Sequence, residues 1–262
     1  MKDADTQSHS AISRGIDLLE WIVTQDRPVT SAEAAVALGL TRPTGHRVAQ
    51  QLEEAGLLQR EPNGKRFTAA NRLANLAIKT LAHAAIGSSR HAVLQTLSEE
   101  INETCNCVVL DGNALVYFDR VEANWPMRIH LPVGSRVPLH ATASGKLFLA
   151  MLPKQQQQER LDSIGFESYT ELTVTNRKSL QTELDTIREK QIGVDRGEYL
   201  EGLISLAVPV YDNQNRICFA IAVHAPTVRR TLEELYQYVP TMQIAANRLS
   251  TIEDNRTQLT NG

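Results

Sequence analysis

Along residues 11–23, AISRGIDLLEWIV, apolar side chains recur at helical spacing and put Ile12, Ile16, Leu19 and Ile22 or Val23 on one face. Pro28 disfavours helix at Arg27 and ends the segment. A short second helix is predicted over SAEAAVAL, capped by Thr30 or Ser31, with Glu33 in its first turn and Gly39 past its end. A third follows Thr41, tolerates Pro43 in its first turn and stops at Gly56, with Val48, Leu52 and Ala55 facing inward. The tight link Leu38-Gly39-Leu40-Thr41 is what a helix-turn-helix needs. Pro62-Asn63-Gly64 between two short stretches predicts a hairpin turn, so residues 10–70 read as a winged helix-turn-helix.

The alanine-rich stretch 71–86 has the helix propensity of a connecting helix, and RHAVLQTLSEEINE continues as an amphipathic one. Beyond residue 104 the pattern changes to strands. CNCVVL and ALVYFDRV flank the turn Asp111-Gly112-Asn113, and MRIHL (127–131) is a further candidate. GKLFLAMLP reads as a helix ending at Pro153, with polar helices expected at 154–163 and 178–191. LISLAVPVYD and RICFAIAVHAP are two more strands, and one long helix is expected over 229–252. Hairpin-paired strands with helices between and after them predict an α+β domain around an antiparallel sheet. The expected domains are 10–70, a linker helix at 71–86, and a second domain at 87–255.

Composition adds boundaries. The chain has 262 residues, is 42% apolar and 22% charged, and carries a net charge of −3. No apolar run approaches the ~20 residues of a membrane span. The polar N-terminus reads as neither a signal nor a transit peptide, so a cytoplasmic protein without a membrane partner is expected. Three cysteines are too few for a disulfide framework. Cys105 and Cys107 lack the second pair a zinc site wants, so they read as small apolar strand residues, and neither metal nor cofactor is expected. Residues 41–66 hold Arg42, Arg47, Arg60, Lys65 and Arg66 against Glu53, Glu54 and Glu61. A recognition helix presents polar residues in its first turns, and here those are Thr41, Arg42, Pro43, Thr44, His46, Arg47 and Gln50. Arginine can read guanine and glutamine adenine, while threonine suits a phosphate or a thymine methyl. Lys65 and Arg66 in the wing would contact the sugar-phosphate backbone or the minor groove. A three-helix domain used for protein contacts is the competing reading; the turn and the basic wing favour double-stranded DNA.

LHATASGK (139–146) gathers a histidine, a threonine, a serine and a lysine. It is no Walker A loop, because Leu147 follows Lys146 and Gly134 is too distant. Ser144 and Lys146 are too close for Ser-x-x-K, and no nucleophile elbow surrounds Ser144. An enzyme acting on a small organic acid, with an N-terminal interaction domain, is therefore the alternative without a complete motif, and no catalytic residue is assigned. A helix starting at Thr142 or Ala143 has first-turn N–H groups that attract an anion, with the Thr142 and Ser144 hydroxyls adding hydrogen bonds. A capped, close-packed helix start explains the same residues equally well.

The motifs SRGIDLLE, LGLTRPTGHRVAQQLEEAGLL, REPNGKRF, LPVGSRVPLHATASGKLFLAMLP, GVDRGEYLEGLISLAVPVYD and AIAVHAP together resemble the IclR family of bacterial transcription regulators, from about Ala11 to Ser250. The resemblance implies a winged helix-turn-helix, a linker helix and a GAF-like effector-binding domain. It implies a homodimer or dimer of dimers on palindromic promoter DNA, controlled by a small organic acid, a carboxylate of a catabolic pathway with aromatic acids among the candidates. By the same resemblance the effector pocket includes Met127, Ile129, Ala143, Ser144, Asp195, Ser205, Ala222 and His224. Ala222 and His224 depart from the small serines of some members. Pro43 and Gly45 also depart, and their low helix propensity predicts a looser first turn in the third helix.

Overall fold

The computed structural model describes residues 10–25, 27–61, 64–85, 89–125 and 131–260. Two compact units emerge, Met1–Ala77 and Ile78–Gly262.

The first unit contains α1 (Ala11–Val23), β1 (Val29–Thr30), α2 (Ser31–Ala37), α3 (Arg42–Glu54), β2 (Leu58–Arg60) and β3 (Arg66–Ala69). Thr30 and Glu33 form a reciprocal capping box on α2: Thr30 N–H donates to Glu33 Oε2 at 2.7 Å and Glu33 N–H donates to Thr30 Oγ1 at 3.2 Å. The Thr30 backbone bond, with the Arg27 guanidinium behind it, lowers the Glu33 carboxyl to about 2. Leu18, Ile22, Val29, Ala34, Val48, Ala49, Leu58 and Phe67 make the core. This corrects the expected face of α1. Ile12 is 76% and Ile16 51% exposed, while Gly15, Leu18 and Ile22 turn inward. Two apolar stripes run side by side on this helix, and the one with Gly15 admits Leu52 of α3.

The inward face of α3 is likewise shifted, to Gly45, Val48 and Ala49, with Leu52 and Ala55 only half-buried. Its first turn is regular rather than loose. Thr41 caps it and Pro43 occupies a position whose N–H has no partner within the helix. Gly45 is there for packing: a Cβ on it would lie 2.6 Å from Ala35 Cβ, so α2 and α3 cross in near contact. β2 and β3 pair antiparallel, Leu58 with Ala69 and Arg60 with Phe67. The expected turn residues Pro62 and Asn63 lie outside the described residues.

α4 (Asn71–Ala85) follows, then α5 (Ser89–Ile101), β4 (Thr104–Asp111), β5 (Ala114–Val121) and β6 (Arg136–Pro138). Next come α6 (Ala143–Met151), α7 (Lys154–Ser163), α8 (Arg177–Lys190), β7 (Gly193–Asp195), β8 (Leu203–Tyr211), β9 (Ile217–Pro226), α9 (Leu232–Tyr236) and α10 (Val239–Thr260). The six strands form one antiparallel sheet in the order β6-β5-β4-β9-β8-β7, giving an α+β fold. One sheet face carries Cys105, Cys107, Phe118, Leu206 and Val223 against Leu94, Leu97, Met242 and Leu249 of α5 and α10. The other carries Tyr117, Ala207, Ala220 and Ala222 beneath α6 and α8. The helix expected over 229–252 is split in two, because a continuous helix would drive the Pro240 ring into the carbonyl one turn earlier. Most of the MRIHL strand candidate lies outside the described residues. Among those described, no helix is long and apolar enough to cross a membrane.

Candidate functional site

Two surfaces carry the chemistry. On α3, Arg42, Pro43, His46, Arg47 and Gln50 are exposed on the side opposite Gly45, Val48 and Ala49. Thr41 is exposed too, and its hydroxyl meets that of half-buried Thr44 at 2.8 Å. Gln50 Nε2 donates to Glu54 Oε1 at 3.1 Å, so its amide is oriented along the helix. The basic residues then divide. Arg60 grips both Glu53 oxygens (2.9 and 2.8 Å) and lies over the Phe67 ring, which makes it a packing residue. Arg66 donates to the Pro28 carbonyl at 3.0 Å and stands 3.8 Å from Glu33, turned toward the body of the unit. Arg42, Arg47 and Lys65 are exposed.

In the second unit the strand register assembles a buried polar patch. Asp195 pairs with Ser205, Ser205 with His224, and His224 with Thr104, which draws one row across four strands. The adjacent row on the same face runs Ala207, Ala222, Asn106, Arg120. Side chains two residues apart on a strand share a face, so the two rows form one surface, opposite the two cysteines. Five buried side-chain atoms among the described residues make no hydrogen bond, and four of them are here: Asn106 Nδ2, Ser205 Oγ and both ring nitrogens of His224. Buried polar atoms normally find partners, so this concentration is unusual. Burial lowers His224 to about 3, with the Arg120 charge adding to it, so the ring is neutral. The Tyr117 ring meets the His224 ring edge-on, with centroids 6.1 Å apart. Arg120 Nη1 donates to Asn106 Oδ1 at 2.6 Å, leaving the Asn106 amide nitrogen to point elsewhere.

The start of α6 lies on this face. Thr142 caps it, accepting from Gly145 N–H at 3.1 Å and donating to the Pro138 carbonyl at 2.7 Å. Ala143 and Ser144 are buried in its first turn. A Cβ on Gly193 would fall 2.1 Å from the Ala143 carbonyl oxygen, so β7 runs hard against that turn and delivers Asp195 two residues later. Asp195 Oδ1 accepts from Gly197 N–H at 3.0 Å and Glu198 N–H at 2.7 Å. Burial nevertheless pushes its carboxyl up to about 7, with the Glu198 charge reinforcing it. Lys146 is fully buried, its Nζ held by Glu198 (2.5 and 2.7 Å) and Glu183 (2.9 Å), and His140 Nε2 sits 2.9 Å from the Glu167 carbonyl. The histidine and the lysine of LHATASGK are thus tied into the scaffold.

At the outer end a cleft is lined by Thr104, Arg120, Leu131, Leu203, His224, Pro226 and Arg229. Arg229 is fixed by Glu103 at 2.9 and 2.6 Å and lies 4.7 Å over the Trp125 ring. The structure therefore brings together Asp195, Ser205, Ala222 and His224, with Ala143 and Ser144 at the adjoining helix start. Met127 and Ile129 lie outside the described residues. Sequence reasoning missed Thr104, Asn106, Tyr117 and Arg120. The available signal was the polar residues alternating with Cys105 and Cys107, which place a second, polar face on the same strand. Among the described residues no His, Cys, Asp or Glu cluster could hold a metal.

Known families match both units. The family described as IclR helix-turn-helix domain matches residues 11–62, and that described as bacterial transcriptional regulator IclR C-terminal matches 78–251. The chain is 41% identical to the probable transcriptional regulator SauR of Cupriavidus necator, over 92% of this chain and 96% of that protein. It is 30% identical to the transcriptional repressor IclR of Escherichia coli, over 87% and 84% of the two chains. Among solved structures, a double mutant of the PobR inducer-binding domain from Acinetobacter, in complex with 3-hydroxybenzoic acid, matches with a TM-score of 0.57 and 28% identity. The match covers 61% of this chain and 94% of that one.

Proposed function

Since the chain belongs to the IclR family of bacterial transcriptional regulators, with a helix-turn-helix DNA-binding domain and a C-terminal effector domain, we propose that it reads promoter DNA through α3 and the wing under the control of a small carboxylic acid. It is a regulator and not an enzyme, as its relatives are. The proposed domains are 10–70, the linker helix 71–86, and 87–255. The observation that carries the effector reading is the set of four unpartnered polar atoms on Asn106, Ser205 and His224, beside the electropositive start of α6. An acid is favoured because Asn106 Nδ2 and the helix-start N–H groups are donors, with the Arg120 guanidinium next to them. The aromatic option draws support from the ring-bearing Tyr117 wall and from the 3-hydroxybenzoic acid in the PobR domain. Ala143, Ser144, Asp195, Ala222 and the outlying Met127 and Ile129 complete the proposed pocket.

For DNA, Arg42, Arg47, His46 and Gln50 are the proposed base readers, with Thr41, Pro43 and Thr44 at the backbone. Lys65 is the wing contact; Arg66 reaches DNA only by leaving Pro28. A cytoplasmic homodimer or dimer of dimers on a palindrome belongs to the same reading. Its support is the apolar stripe Ile12, Ile16 and Val23, which α1 leaves exposed and a second copy would cover. Gel shifts on the DNA upstream of its own gene, with Arg47→Ala beside the native chain, test the reading. Binding should fall at least tenfold in the variant and show a steep inverse dependence on salt. Native protein that leaves this DNA unshifted at low salt would overturn it, and a panel of small acids that leaves its melting temperature unmoved would overturn the effector.

A further inference from the structure

The atoms without partners differ in kind, and the difference restricts what can satisfy them. Asn106 Nδ2 only donates. A neutral imidazole carries one N–H and one bare nitrogen, so His224 needs an acceptor on one side and a donor on the other. The Ser205 hydroxyl does either. Among the described residues nothing donates to the bare nitrogen. Ser205, although cross-strand to His224, makes no hydrogen bond to it, and Tyr117 presents a ring edge. A plain carboxylate offers acceptors alone, and would leave this nitrogen buried and unmatched. Ala207 and Ala222 keep the side chains beside Ser205, His224 and Asn106 small on this face, and His224 also lines the outer cleft.

We infer that the site takes a hydroxylated carboxylic acid, whose carboxylate accepts from Asn106 Nδ2 and the Ser205 hydroxyl and whose own hydroxyl donates to the bare ring nitrogen of His224. His224 is then the residue that separates hydroxy acids from their deoxy counterparts. This rests on the acid-effector reading above, and deepens it.

The test is calorimetric titration of the full-length protein with two matched sets: 3-hydroxybenzoate, 3-methoxybenzoate and benzoate; then 2-hydroxybutyrate, 2-methoxybutyrate and butyrate. In one set the hydroxy acid should bind at least tenfold more tightly than both relatives. Replacing the hydroxyl by methoxy keeps the oxygen as an acceptor, removes the donor and adds a methyl, while the deoxy acid removes the donor with no added bulk. His224→Phe should erase that preference, so that the hydroxy acid and its deoxy and methoxy relatives bind the variant within threefold of one another. His224→Gln, which keeps a donor and an acceptor, should retain part of it and serves if the phenylalanine variant melts early. Deoxy or methoxy acids binding as well as hydroxy acids, or a preference that survives in His224→Phe, would overturn the inference and leave the acid reading standing. No binding by any member of either set would overturn both.

Discussion

Asp195 combines burial with a raised pKa, and that pairing has a direction. A carboxyl raised in the fold stabilises it while protonated. The contribution is complete below the unfolded value of 3.8 and is lost as pH climbs through about 7. Asp195→Asn keeps the Oδ1 acceptor for Gly197 and Glu198 and removes the titration. Its melting temperature relative to the native chain should therefore rise from pH 4 to pH 7 and stay raised above; a constant difference across that range would contradict the assignment. An acid bound nearby should be held less tightly as pH rises through 7, and the asparagine variant should lose that trend. Ala222→Leu tests the space itself: affinity for small acids should drop tenfold or more, while folding loses only the ~1–3 kcal/mol typical of overpacking. Of the candidate site, the residues in LHATASGK and the last strands could be named only through the resemblance their contiguous motifs carry, since their spacing fits a plain helix start equally well. Asn106, Arg120 and Tyr117 were not legible, because only the lateral register of β4, β5 and β9 gathers them, and no local period encodes that register.

Elements meet here through a few close or charged contacts. Lys146 joins α6 to Glu198, beyond the end of β7, and to Glu183 on α8. Removing the lysine leaves Glu198, only 3% exposed, without its cation. Lys146→Met should cost ~3–5 kcal/mol in urea unfolding, and pairing it with Glu198→Leu should recover part of the loss. In the first unit Gly45→Val would force α2 and α3 apart, since even a methyl there has no room. Long periodic segments such as α3, α8, β8 and β9 were readable because several turns or alternations repeat the same message. β1, β6 and β7 were not, because two or three residues carry no period. The α1 face was misjudged for the opposite reason: both of its stripes are apolar, and only packing against α3 selects between them.

At the scale of the molecule, the two units have separate cores and should melt separately. Scanning calorimetry should resolve two transitions. Gly45→Val should lower one, and a bound acid at a hundredfold excess over its Kd should stabilise the other by ~2.7 kcal/mol. One transition moving as a whole under both treatments would refute this independence. The six-stranded sheet makes a comparable division within the second unit. One core packs the sheet against α5 and α10, while the reverse side carries a second core with Tyr117, Leu147 and Leu184 and, beside it, the polar row of Thr104, Ser205 and His224. A gene copy could therefore drift to a new chemical signal by exchanging the few polar residues of that row while both cores stay packed. Duplication followed by retuning of one sheet face is a short evolutionary walk for such a sensor.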